Sequence, residues 1–180
     1  MSRNLLAAGL MLVGSSALAQ TWTEHISEGG FRIEFPAPPE LSSSTVGSNV
    51  RIFEAKLEGE NRAYSASAVY LISLSEELRI DLESRAEKNV KIISKMFIEK
   101  NEYKLMTERR STVGGSPAYY MTYETKDGYV GTYLYVEKNG NLYRVLSLGK
   151  PGIEDSEVVQ RFFSSFVLIE KKREAADPVK

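Results

Sequence analysis

The sequence predicts an α+β fold: an α/β/α sandwich in which two amphipathic helices cover the faces of a mainly antiparallel sheet. Three observations carry it. Asp127-Gly128 and Asn139-Gly140 interrupt alternating segments as hairpin turns do, because a two-residue loop needs positive φ at both central positions. Between Leu78 and Phe97 the apolar period lengthens from two to three or four, and it does so again between Val158 and Phe166. The hairpin strands are apolar on both sides, and such a sheet needs cover on both sides.

The chain opens with Arg3, a short apolar run from Leu5 to Val13, and Ala17-Leu18-Ala19 ahead of Gln20. That is the three-part layout of a secretory signal peptide over 1–19, cleaved near Ala19, too short to span a bilayer. It predicts a periplasmic or secreted protein. The remainder has the size of one domain, expected over 20–170, with a polar, frayed tail at 171–180.

Thr21 to Ile26 alternates large and polar residues, Glu28-Gly29-Gly30 breaks the pattern, and Phe31 to Phe35 resumes it as a half-buried strand. Pro36, Pro38 and Pro39 end that strand, since proline cannot donate to a ladder. Leu41 to Asn49, rich in Ser, Thr and Gly, reads as a loop. Val50 to Leu57 and Ala63 to Ile72 read as strands, the second with small residues suited to close packing beneath a helix.

Leu78, Leu82, Ala86, Val90, Ile93 and Phe97 then form the stripe of one long helix over about 76–98. Ser73-x-x-Glu76 would cap it, Glu87 and Lys91 would pair on its surface, and Asn101 would stop it. Tyr103 to Val113 is a strand leading into Gly114-Gly115-Ser116-Pro117. Ala118 to Thr125, Tyr129 to Glu137 and Asn141 to Leu148 form a three-stranded meander. After Pro151-Gly152 comes a second helix, over about 155–166, capped by Asp155 or Ser156.

Two-residue loops fix register by arithmetic. Met121 then faces Leu134 and Tyr119 faces Val136 across the first turn; Val136 faces Tyr143 and Leu134 faces Val145 across the second. One face carries Tyr119, Met121, Leu134, Val136, Tyr143 and Val145. The other gathers Tyr120, Tyr133, Tyr135 and Arg144 with Leu142, Leu146 and Leu148.

The secretion signal, Trp22, Gly30-Phe31-x-Ile33-x-Phe35-Pro36-x-Pro38, the long helix and the Gly-Gly-x-Pro turn together resemble the PsbP-like superfamily. The Tyr-rich meander and a final helix ending Ser165-Phe166 strengthen the resemblance, which covers most of the chain in element order. The family includes extrinsic subunits of the photosynthetic oxygen-evolving complex, a eukaryotic Ran-binding protein and small secreted bacterial proteins. The resemblance implies an α/β/α sandwich, a role in binding or assembly, and no shared catalytic set.

Composition narrows the chemistry. A net charge of −1 with mixed signs argues against a nucleic-acid partner, which needs a basic surplus to displace counterions. The absence of cysteine removes disulfide staples and an amino-terminal lipid anchor, and no second apolar run is long enough for a membrane span. His25 is the only histidine and no Gly-x-Ser-x-Gly elbow exists, so a hydrolase triad has no base beside a nucleophile. No motif calls for a cofactor, and Gly114-Gly115 belongs to no phosphate-cradling pattern.

Glu58, Glu60 and Asn61 around Gly59 form either a weak cation site or a solvated turn. Glu24, Glu34, Glu124 and Glu137 lie on strands, and nothing in the sequence selects a pair of them for acid–base work. The most site-like grouping is Tyr120, Tyr133, Tyr135 and Arg144, since aromatics and arginine combine apolar area with directed polar ends. It reads either as a partner-binding face or as core beneath a helix. The expected function is a non-catalytic exported domain that binds a protein partner or assists assembly in the cell envelope. A small-ligand or metal-ion carrier, with its site between sheet and helix, is the alternative. An enzyme working with carboxylates alone is a third reading.

Overall fold

The computed structural model describes residues 21–71 and 75–169. The signal-peptide stretch, Ser73 of the expected capping box and the 171–180 tail lie outside the described residues.

Among the described residues, ten strands and three helices follow one another: β1 (Thr23–Ser27), β2 (Phe31–Phe35), β3 (Glu40–Val46), β4 (Val50–Gly59), β5 (Arg62–Leu71), α1 (Glu76–Ser84), α2 (Ala86–Asn101), β6 (Lys104–Val113), β7 (Ser116–Glu124), β8 (Val130–Lys138), β9 (Asn141–Gly149), α3 (Glu157–Ser164) and β10 (Val167–Leu168). Seven strands form one antiparallel sheet in the order β3-β4-β5-β9-β8-β7-β6. The helical crossover carries the chain from β5, inside the sheet, to its far edge at β6. A smaller sheet, β1-β2-β10, lies apart. Helix α2 packs on one face of the large sheet; α3 and the small sheet cover the other. The fold is therefore an α+β sandwich, as expected.

Two apolar layers result. Beneath α3 and the small sheet, Phe31, Ile33, Phe35, Val159 and Phe162 are fully buried against Ala66, Val136 and Val145. Phe162 meets Phe35 and Tyr64 edge-on at 5.2 and 5.0 Å. Each such ring contributes about 1.5–3 kcal/mol by leaving water. The small residues of β5 admit the small sheet as well as α3: a Cβ on Gly29 would stand only 2.8 Å from that of Ala68. Ser156 caps α3, its hydroxyl accepting from the Val159 N–H at 3.3 Å.

Four expectations are corrected. The segment read as a loop is strand β3, paired residue for residue with β4. All seven of its residues are exposed, so it carries no apolar alternation to announce it. The single long helix is two. Arg85, at φ −108° and ψ 4°, ends α1 and starts α2, because the sheet buries the stripe only from Ala86 onward and Leu78 is 47% exposed. Ser75 caps α1, its hydroxyl accepting from the Leu78 N–H. Glu87 pairs with Arg110 of β6 at 2.6 Å rather than serving as the expected partner of Lys91.

The fourth correction moves a face. The β8–β9 turn is the expected two-residue loop, Asn139 and Gly140 at φ 53° and 73°, with Val136 opposite Tyr143. The β7–β8 connection is a residue longer. Gly128 N–H donates to Thr125 O, Thr125 N–H donates to Tyr129 O, and Gly128 stands at φ 78°. This is a three-residue loop closed by a left-handed glycine. Register shifts by one, so Met121 faces Tyr133 and Tyr119 faces Tyr135. All of β7 is thereby turned over relative to the expectation.

Candidate partner-binding groove

That shift divides the grouping drawn from sequence. Tyr133, Tyr135 and Arg144 share the α2 face, whereas Tyr120 lies on the α3 side against Phe163 at 5.4 Å. The guanidinium of Arg109 sits 4.4 Å above the Tyr120 ring. Burial raises the Tyr120 phenol pKa, and Arg109 opposes the rise. Tyr133 and Tyr135 are each 4% exposed, stacked at 4.5 Å, with Phe97 of α2 4.4 Å from Tyr133. They are flooring beneath the helix. Arg144 lies farther along the sheet, where its Nε donates to Ser67 Oγ at 3.0 Å.

Beside this floor a cleft of ≈ 190 Å³ opens between α2 and the edge strand β6. Met121, Ile98 and Leu105 supply apolar walls; Ser94, Lys95, Glu99 and Glu108 supply polar ones. Tyr119, brought here by the register shift, donates its hydroxyl to Glu108 at 2.5 Å. Burial, reinforced by that bond, pushes its phenol up to about 12, so it remains a donor through the physiological range. A bulge between Leu105 and Thr107 disturbs β6 beside the cleft, and Met106 there is 47% exposed. On α2, Ile92 and Met96 are 45% and 60% exposed; Ile92 stands three residues before Lys95 and Met96 three before Glu99.

Of the methionines after Met11, Met121 lines the cleft and Met106 lies in the bulge beside it. Flexible, polarisable thioethers suit surfaces that must adapt to another molecule. Sequence reasoning missed the cleft because it had placed Tyr119 on the other face. The signal that could have found it is Thr125-x-x-Gly128, which also fits a three-residue hairpin loop with glycine in the left-handed position.

The remaining candidates are separate. His25 stacks edge-on with Phe31 at 5.9 Å, and burial lowers its pKa. Glu24 and Glu34 face each other across β1 and β2, yet each pairs with its own arginine, Arg32 at 3.4 Å and Arg161 at 2.8 Å. Glu124 pairs with Lys104 at 3.0 Å, and Glu58 with Lys56. Glu137 is buried under the α1–α2 joint, and burial raises its pKa against the opposing bond from Asn89. Among the described residues no three of these acidic or histidine side chains converge on one point, and no helix is long and apolar enough to cross a membrane.

No family model matches the chain, and no curated protein matches it. Among solved structures it is similar to cyanobacterial PsbP (CyanoP) from Synechocystis sp. PCC 6803, with a TM-score of 0.55 at 12% identity. That match covers 91% of this chain and 98% of the other. A Bacteroides thetaiotaomicron protein matches with TM-score 0.45 and 10% identity over 83% of this chain and 49% of its own. A Pseudomonas aeruginosa protein of unknown function matches with TM-score 0.35 and 14% identity over 74% and 85%. The fold of this chain is PsbP-like.

Proposed function

We propose that the chain is an exported, non-catalytic domain that binds a protein partner in the cell envelope through the α2–β6 groove. The observation that carries the reading is the groove's make-up: an apolar wall of Met121, Ile98 and Leu105, with exposed Met106 in the bulge at its rim. Such a surface desolvates a partner's apolar side chains, while Lys95, Glu99 and the Tyr119–Glu108 pair orient it. Tyr133 and Tyr135 serve from beneath by holding α2 at its distance. Export rests on the amino-terminal signal pattern. The absence of a catalytic role rests on carboxylates spent in separate ion pairs and a histidine stacked on Phe31.

A small-ligand carrier has less support. The α2–β6 cleft is below the roughly 300–1,000 Å³ of ordinary ligand pockets, and the larger hollow of ≈ 360 Å³ is at the β7–β8 turn, lined by Tyr103, Thr125, Lys126, Asp127, Tyr129 and Leu148.

Photo-crosslinking residues placed at Lys95 and Met106 test the reading in native envelope extracts, with Ile26 on the opposite side as control. One defined adduct is expected from both groove positions and none from Ile26. Leu105→Asp with Glu99→Lys should abolish the adduct from both positions without lowering the melting temperature. Equal labelling from Ile26, or capture unaffected by the double substitution, refutes the groove as the docking surface.

A further inference from the structure

The two edges of the seven-stranded sheet are built differently. Strand β6 is blunted by a bulge and by charges that are all engaged within the chain. Lys104 pairs with Glu124, Arg110 with Glu87 and Glu108 with Tyr119, while Arg109 covers Tyr120. Strand β3 carries none of these devices. Its seven residues, Glu40-Leu41-Ser42-Ser43-Ser44-Thr45-Val46, are all exposed, hold a single charge at one end, and pair with β4 without a register break. Leu41 and Val46 are 62% and 57% exposed.

We infer that the β3 edge binds a second copy of this chain by antiparallel β3–β3 pairing, joining two sheets into one of fourteen strands. A two-fold axis normal to the sheet places each residue opposite one that points to the same face, which restricts the registers. On β6 the best-overlapping registers centre on Glu108 or Arg109 and oppose like charges at the axis, a destabilising arrangement. On β3 the full-overlap register centres on Ser43. It sets Ser42 against Ser44, Leu41 against Thr45 and Glu40 against Val46 of the second copy, with no like charges opposed. Hydroxyl pairs across strands and the covered Leu41 and Val46 side chains add to a ladder about 24 Å long. So small an interface makes a reversible, concentration-dependent dimer. The dimer leaves the α2–β6 groove free at the outer edge of each copy.

The chain has no cysteine, so one introduced thiol reports contact without background. Ser43→Cys brings two thiols together at the axis, within the 4.4–6.8 Å Cα range of a disulfide. Under mild oxidation it should crosslink far faster than Thr112→Cys on β6. Sedimentation of the purified chain should show monomer and dimer exchanging with concentration. Ser43→Lys should weaken that dimer about tenfold or more with an unchanged melting temperature. A chain that is monomeric at every concentration, Ser43→Cys crosslinking no faster than Thr112→Cys, or a dimer indifferent to Ser43→Lys overturns the inference. Loss of groove adducts leaves this result standing, so the two readings fail separately.

Discussion

Gly131 is the position where a single methyl group should test the aromatic layer. It stands opposite Tyr123 in the β7–β8 register. The Tyr123 ring lies across the space a side chain would occupy. A Cβ at Gly131 would meet its Cζ at 2.2 Å, its hydroxyl at 2.4 Å and its Cε1 at 2.6 Å. The ring has nowhere to retreat. It is 2% exposed, stacked on Tyr103 at 4.9 Å and 7°, and met edge-on by Phe97 at 5.4 Å. Gly131→Ala therefore overpacks the layer, at a cost of about 1–3 kcal/mol. For a chain of this size each kcal/mol lowers the melting temperature by about 2–4 °C.

Thermal and urea denaturation followed by circular dichroism measure the loss. A double-mutant cycle assigns it. Tyr123→Leu removes the three clashing atoms, so in that background Gly131→Ala should be neutral or gain up to about 1 kcal/mol, because glycine costs conformational entropy in a strand. The coupling between the sites should be about 1–3 kcal/mol. An equal cost of Gly131→Ala in both backgrounds would show that the glycine is needed for backbone reasons and would refute the packing argument.

Two further outcomes concern buried polar groups. Burial, opposed by the Asn89 bond and reinforced by the nearby charge of Glu83, raises the Glu137 pKa in the fold above its usual 4.5. A raised carboxylate favours the fold at low pH and loses that advantage as pH climbs through the folded value. Glu137→Gln should match the parent near pH 4 and exceed it in melting temperature by a margin that grows toward neutrality; a margin constant with pH refutes the assignment. Ser147 is 1% exposed, and its hydroxyl makes no hydrogen bond among the described residues. Ser147→Ala should be neutral or stabilising by about 1 kcal/mol in urea titrations; a loss above that size would reveal a bond the hydroxyl makes after all.

Much of the fold was legible because local chemistry and tertiary position agree. Phe31-x-Ile33-x-Phe35 alternates because one side of β2 meets the core, and all three rings and chains are fully buried. Asn139-Gly140 demands its turn wherever the hairpin lies. Ser156 and the apolar spacing Val159, Phe162 define the helix after Pro151-Gly152 and its buried side. The candidate groove was not legible, since it depends on β7 being turned over, and a one-residue change of register exchanges the two sides of a strand.

The sequence by itself determined the class of the fold, the order of most elements, the β8–β9 turn of the meander and the PsbP-like likeness. The class, the order and the turn follow from periodicity or backbone preference within a few residues; the likeness rests on resemblance in motifs and element order. Tertiary structure decided what long-range contact alone can set. It made a strand of the polar stretch at Glu40–Val46 by pairing it with β4, broke the long helix at Arg85 where the sheet's cover begins, and turned Tyr119 to the α2 side and Tyr120 to the α3 side. In each case the deciding partner lies on another element, and its energy is invisible in the local pattern.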